Sequence, residues 1–290
     1  MSIFRRTSKF CNGISFSITI FILFSFIPAI CQNLLDRFKL NDKNSYQIDL
    51  PNELKEISGI ALSADGRLFG HNDEKGIIYQ IDLHDGKILK KFYLGKNPVK
   101  KDFEDIAIIG ANFYLITSSG ELYVFSEGRD KQFVTYSIIE TGLTKDNNVE
   151  GLCYDPETNC LLLACKGYPG EGYKKFKAVY AFSLNENRLL SKPRFLLPLN
   201  KMKDFSEENK FEPSGITRHA ETGHFFVIAA SGNMIVEISK TGEILAMKHL
   251  KEKMHSQPEG IVFKSAGELL ISDEGQGGKA TVTRYFTHGK

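Results

Sequence analysis

The stretch Asn148-Val149-Glu150-Gly151-Leu152-Cys153-Tyr154-Asp155-Pro156 reads as an acidic residue, a glycine, an apolar run and a turn, and variants of it recur along the chain. Upstream stand Glu56-Ile57-Ser58-Gly59-Ile60-Ala61 and Asp102-Phe103-Glu104-Asp105-Ile106-Ala107. Downstream stand Glu212-Pro213-Ser214-Gly215-Ile216-Thr217 and Gln257-Pro258-Glu259-Gly260-Ile261-Val262. Taking the residue before the glycine (or before Asp105) as reference, the copies fall at positions 58, 104, 150, 214 and 259, at intervals of 46, 46, 64 and 45 residues. A self-similar unit of that length marks a repeat architecture.

Each copy opens a run of short alternating strands. The first unit predicts strands over 57–62, 67–71, 77–83 and 88–94, with Asp-Gly hairpin signals at 65–66 and 85–86. The second predicts 106–109, 113–117, 121–125 and 133–139, and the third 152–154, 161–165, 178–184 and 194–199. The fourth predicts 216–218, 225–230, 234–238 and 244–250. The fifth yields only 261–264, 269–272 and 281–286, and the orphan strand 45–50 near the other end of the chain matches the missing member. The long interval has two sources: a glycine-rich excursion over 167–177, and a polar stretch over 200–211 expected to form a short helix or a lid-like loop. The pattern therefore predicts an all-β fold: a β-propeller of five four-stranded blades, closed by the N-terminal strand. Six blades, with a degenerate one in 190–211, are the alternative; a β-sandwich leaves the period unexplained.

At 290 residues, 42% hydrophobic and 25% charged, the chain has a globular composition. Its net charge of +2 balances 37 basic against 35 acidic side chains without a basic block beyond spots such as 174–177, which argues against a nucleic-acid partner. Residues 1–31 read as a signal peptide: Arg5, Arg6 and Lys9 precede an apolar run over 14–27, and Ala29-Ile30-Cys31 supplies a cleavage site. The expected protein is exported, periplasmic or secreted. A membrane enters only if that segment stays uncleaved or Cys31 is lipidated. Residues 32–44 read as a loose polar leader and 45–290 as one propeller domain, expected to be a monomer. Of five cysteines, Cys153, Cys160 and Cys165 lie outside the signal segment. Alternation places Cys153 and Cys165 on one face and Cys160 on the other, so buried free thiols are expected rather than a disulfide framework.

Topology brings the starts of inner strands and the ends of second strands to one mouth of the channel. Glu104, Glu150 and Glu259 should form a carboxylate ring there, with Ser58 and Ser214 in the remaining sectors. Asn72, Asp73, Glu74, Lys166, Asp273 and Glu274 should border it. Confined like charges need protons or a cation, and an oxygen-only donor set suits calcium. We take Glu104, Glu150, Glu259, Asp273, Asn72 and Asp73 as candidate metal ligands, and Ser58, Ser214, Lys166, Glu74 and Glu274 as candidate contacts to a small-molecule or envelope ligand. The alternative is that the glutamates cap backbone N–H groups without metal. His219 and His224 flank a turn and are expected to be solvated, and no zinc spacing occurs. No nucleophile elbow, P-loop or His-Glu-x-x-His motif is present, so catalytic residues are not assigned.

The ordered motifs from Pro51-x-x-Leu54-x-Glu56-Ile57-Ser58-Gly59 and Asn72-Asp73-Glu74 through Phe211-Glu212-Pro213-Ser214-Gly215 to Gln257-Pro258-Glu259-Gly260 and Ser272-Asp273-Glu274 resemble the SdiA-regulated family of bacterial propellers. The resemblance covers roughly 45–286 and implies an envelope-located propeller, distantly phytase-like, with a calcium link and no defined reaction. The expectation is a calcium-binding ligand-binding or signalling module. The alternative is a metal-dependent hydrolase acting on phosphate esters or, less readily, lactones.

Overall fold

A computed structural model describes residues 33–206 and 208–287. Five antiparallel sheets stand in a ring, as the repeat predicts. The first blade comprises Ile57–Leu62, Leu68–Asn72, Ile77–Ile81 and Ile88–Leu94. The second comprises Phe103–Ile109, Asn112–Thr117, Glu121–Ser126 and Tyr136–Glu140. The third comprises Val149–Asp155, Cys160–Cys165, Phe176–Ser183 and Phe195–Pro198. The fourth comprises Glu212–Arg218, Phe225–Ser231, Met234–Ile238 and Ile244–His249. The fifth takes Pro258–Ser265, Glu268–Asp273 and Thr281–Phe286, and its outermost strand is Ser45–Asp49, paired antiparallel to Thr281–Phe286. Both ends of the propeller thus meet in one blade, which protects its edges and ties the ring shut.

The first strand of each blade is innermost, and each packs on its two neighbours around the closed circle. Apolar residues from facing blades fill the wedges between them. Phe69, Phe92 and Phe113 cluster between the first and second blades, and Leu162, Val227 and Val236 between the third and fourth. Below the mouth the channel is apolar: Ile60, Ile106, Leu152, Ile216 and Ile261 border a cavity of about 210 Å³.

The repeated glycine has a steric cause. A methyl group at Gly215 would lie 2.5 Å from the Glu259 carbonyl oxygen of the next blade, closer than carbon and oxygen tolerate. Gly59, Gly151 and Gly260 face the following inner strand in the same way. In the second blade Asp105 takes that position. Its Oδ2 accepts a 2.6 Å hydrogen bond from Leu152 N of the third blade, and its Oδ1 accepts one of 2.8 Å from Ile106 N. Four sectors close by backbone proximity and one by a carboxylate.

Several local expectations are corrected. Residues 33–40 are not loose. Leu34, Leu35 and Phe38 are buried beside Phe226, Ile228 and Ile271. Leu34 N and Leu35 N donate to the two oxygens of the fully buried Glu237 carboxylate at 2.8 and 2.7 Å. His224, expected in solvent, pairs through Nδ1 with the same carboxylate at 2.7 Å. His219 is also buried, with Nδ1 3.0 Å from Thr222 Oγ1 and its ring against Phe263. Cys153, Cys160 and Cys165 are free and buried, but Cys153 shares a face with Cys160 rather than Cys165. The four-residue turn 156–159 pairs Asp155 with Cys160, so Cys153 stands opposite Leu162 and shares the face of Cys160. In the second blade Phe133–Val134 leaves its own sheet to pair in parallel with Tyr93 and Leu94 of the first. The polar stretch after the third blade forms the short helix Leu199–Phe205. The signal segment lies outside the described residues.

Candidate functional site

The ladder irregularity recurs in every blade at the same place. Register shifts fall between Ile57 and Ile60, Phe103 and Asp105, Val149 and Gly151, Pro213 and Gly215, and Pro258 and Gly260. The residue left without a cross-strand partner is Ser58 (together with Gly59), Glu104, Glu150, Ser214 or Glu259 in turn. A bulge of this kind adds one residue to the inner strand and re-aims its side chain. The glycine or Asp105 that follows serves contact between blades, and the bulged residue serves the mouth.

Three of those five residues meet as a titrating cluster. Glu104 is hydrogen-bonded to Glu150. Burial, with the Glu150 and Asp102 charges beside it, pushes the Glu104 carboxyl up to about 10, so it carries a proton at neutral pH. Glu150 Oε1 also accepts a 2.7 Å hydrogen bond from Asn148 Nδ2 and pairs with Lys166 Nζ at 3.1 Å. Burial lowers the Lys166 ammonium and Glu150 more than restores it, leaving it raised. Burial pushes Glu259 up to about 8; a hydrogen bond from Gln257 works against that, and Glu150 adds to it. The cluster is one electrostatic unit in which protons on Glu104 and Glu259 and the Lys166 ammonium compensate three carboxyl groups at neutral pH.

The serines behave differently. Ser214 Oγ is engaged by backbone, donating to Pro258 O at 2.5 Å and accepting from Ala230 N at 3.2 Å. Ser58 is nearly buried at its bulge. Asp273 is drawn out of the cluster: its Oδ2 lies 2.7 Å from His255 Nδ1, and His255 Nε2 lies 2.7 Å from the Tyr285 hydroxyl. That buried chain ties the loop entering the fifth blade to its third strand. Asn72 and Asp73 sit at the mouth, each with a buried Oδ1 that has no hydrogen-bond partner. Burial, followed by Glu56 and Glu74, raises the Asp73 carboxyl, and burial followed by Asp73 and Glu56 raises Glu274. Gln257 Nε2 donates to Glu274, and Glu74 is exposed beside Lys75 at 3.7 Å. The mouth thus has an acidic flank on the first and fifth blades, joined to the Glu104–Glu150–Glu259 cluster through Gln257 and the Glu274 charge on Glu259.

A second ring was missed by sequence reasoning. Glu56, Asp102, Asn148, Glu212 and Gln257 stand two residues before the bulge in all five copies. Asn148 and Gln257 orient the cluster, Asp102 and Glu56 charge its surroundings, and Glu212 lies beside Lys177. The signal was the invariable polar residue at that offset, where a strand start tolerates any residue.

The donor chemistry of the mouth fits a hard cation: carboxylates and amide oxygens, with orphaned oxygens on Asn72 and Asp73. The geometry has not gathered them into a cage. Among the described residues no group of three or more His, Cys, Asp or Glu is placed to hold one ion.

Fold and site together define a five-bladed β-propeller with a polar, desolvated carboxylate cluster at one mouth of an apolar channel. The chain belongs to the SdiA-regulated family, whose match spans residues 39–276. Glutaminyl cyclase of Myxococcus xanthus is similar in fold, at 13% identity over 84% of this chain and 97% of that chain, with a TM-score of 0.56. A luciferin-regenerating enzyme is similar at 13% identity over 84% of this chain and 96% of that one, with a TM-score of 0.53. The PQQ-bound aldose sugar dehydrogenase of Streptomyces coelicolor is similar at 12% identity over 83% and 98%, with a TM-score of 0.51. At these identities the likeness is one of fold. No curated protein sequence matches the chain.

Proposed function

We propose that the protein is an exported, envelope-located binding module in which Glu104, Glu150 and Glu259, not gathered into a cage as they stand, would draw together on calcium and present it to a ligand. The observation that supports this reading is the Glu104 carboxyl, raised to about 10 while hydrogen-bonded to Glu150 in a cluster with one ammonium for three acids. Such a cluster has a stored affinity for positive charge. Calcium entry requires the Glu104 proton to leave and Lys166 to swing off Glu150, so proton, ammonium and metal compete. Binding then strengthens with pH and releases protons.

Calorimetric titration of calcium into the apo protein at pH 6.5 and 8.0, in two buffers of different ionisation enthalpy, tests this. Tighter binding at pH 8.0 with proton release is expected, and loss of binding in Glu104→Gln and Glu150→Gln. No heat at millimolar calcium, with folded protein, refutes it. Calcium-dependent turnover in a panel of phosphate esters and lactones would move the assignment to a hydrolase.

A further inference from the structure

Away from the axis, the third sector carries the departures from the repeat. The excursion after Cys165 and the helix Leu199–Phe205 are insertions relative to the other blades, and they lie against each other. Leu199 N donates to Lys175 O at 2.9 Å, and Phe176 pairs in register with Pro198. Tyr180 Oη donates to Pro169 O at 2.8 Å, and Met202 is fully buried, so both walls are held from below. Between them lies a cavity of about 570 Å³. That is within the range of small-molecule sites, roughly 300–1,000 Å³.

Its lining has one character. Phe176, Pro198 and Leu199 form an apolar floor, and Lys174, Lys175 and Lys203 stand around it. Among the described residues no carboxylate lines the cavity. Behind the floor, the Glu212 charge acts on Lys177, whose ammonium also donates to Lys166 O. Burial lowers the Lys177 ammonium; Glu212 works against that, and the neighbouring Lys166 and Lys203 charges lower it further.

We propose that this cavity binds an amphipathic anion, a carboxylate or sulfonate on an apolar body, with the body on Phe176, Pro198 and Leu199 and the charged head among Lys174, Lys175 and Lys203. Three features carry the assignment: the preformed walls, the apolar floor and a cationic rim that no carboxylate among the described residues lines. It is independent of calcium at the mouth, so the experiment is run in EDTA.

The probe is 1-anilinonaphthalene-8-sulfonate, followed by fluorescence, with dodecanoate and dodecanol as competitors. One saturable site is expected, displaced by dodecanoate but not by dodecanol. Lys175→Glu with Lys203→Glu should weaken binding about tenfold or more, and the remote Lys87→Glu should leave it unchanged. The variants alter exposed side chains, and circular dichroism checks their fold. Absence of a saturable site, equal displacement by dodecanol, or insensitivity to the double charge reversal overturns the proposal. Co-sedimentation with phosphatidylglycerol vesicles in the absence of dodecanoate binding also overturns it, in favour of a membrane surface.

Discussion

The stability of the apo protein should fall as pH rises from 6.5 to 8, and the cause is the carboxylate cluster. Glu104 and Glu259 are raised in the folded protein to about 10 and about 8 from an ordinary value of 4.5. A raised folded pKa means that the contribution is fully present below the unfolded value and is lost as pH climbs through the folded one. Across this window these two carboxyls therefore hold up to two protons that the unfolded chain has released, and Asp105, raised well above its ordinary value by burial, acts in the same direction. Each proton costs about 1.4 kcal/mol of stability per pH unit. His71, held down to about 4 by burial, works the other way. Its contribution grows between pH 4 and 6.5 and is level above that, so the window begins where its influence stops. For a domain of this size, one proton corresponds to a fall in Tm of about 3–6 °C per pH unit. Differential scanning calorimetry in EDTA measures it. Glu104→Gln and Glu259→Gln should each flatten the profile and raise Tm at pH 8, and millimolar calcium should raise the Tm of the wild-type protein there. A level wild-type profile in EDTA, or a Glu104→Gln profile as steep as wild type, would refute the reasoning.

Three further outcomes follow from the scaffold. Glu237→Gln sets an amide donor against the Leu35 N–H in a fully buried place, which should cost about 2–4 kcal/mol and open residues 34–38 to hydrogen exchange. Unchanged exchange protection there would show that the carboxylate does not hold the segment. Gly215→Ala forces a methyl group against the Glu259 carbonyl, at a cost of about 1–3 kcal/mol in a denaturant titration, whereas Gly110→Ala, at a site with open space but a strained φ of +60°, should cost less. Asp105→Ala strands the Leu152 N–H between blades and should cost about 1–3 kcal/mol, partly recovered in Asp105→Asn because one acceptor remains.

What was legible in the chain was whatever repeats. The motif period and the Asp-Gly turns specify local geometry, so blade number and the closing strand could be read directly. The bulge was not legible, because the extra residue is visible only when two strands are paired. The face of Cys153 was missed for a different reason: the four-residue turn 156–159 pairs Asp155 with Cys160, so Cys153 lies opposite Leu162 and odd positions pair with even ones. Residues 33–40 looked polar because Leu34, Leu35, Phe38 and Leu40 keep no strand period between charged neighbours. Their partner, Glu237, is an acid at an inward strand position more than 190 residues away, and no local pattern links the two. At the mouth, the three glutamates were legible as repeat members. Lys166, Asn148 and Gln257 acquired their roles only through contact.

The motif places two demands on adjacent residues, and the bulge keeps them from competing. Ring closure needs the second position empty, because inner strands approach too closely for a side chain, and Gly59, Gly151, Gly215 and Gly260 meet that need. The first position is not pressed against the next strand by backbone proximity, although Ser214 does reach the Pro258 carbonyl of the fifth blade. That freedom lets the ring hold serine at 58 and 214 and glutamate at 104, 150 and 259 on one backbone. Asp105 is the instructive exception. It fills the closure position with a carboxylate that reaches across to Leu152 N, so the second and third blades are joined by a hydrogen bond rather than by proximity alone. These are the blades that carry Glu104 and Glu150. The pair that shares a proton is therefore mounted on a junction whose spacing is set by a side-chain carboxylate, and a change at Asp105 should disturb the titration of Glu104 before it unfolds the ring.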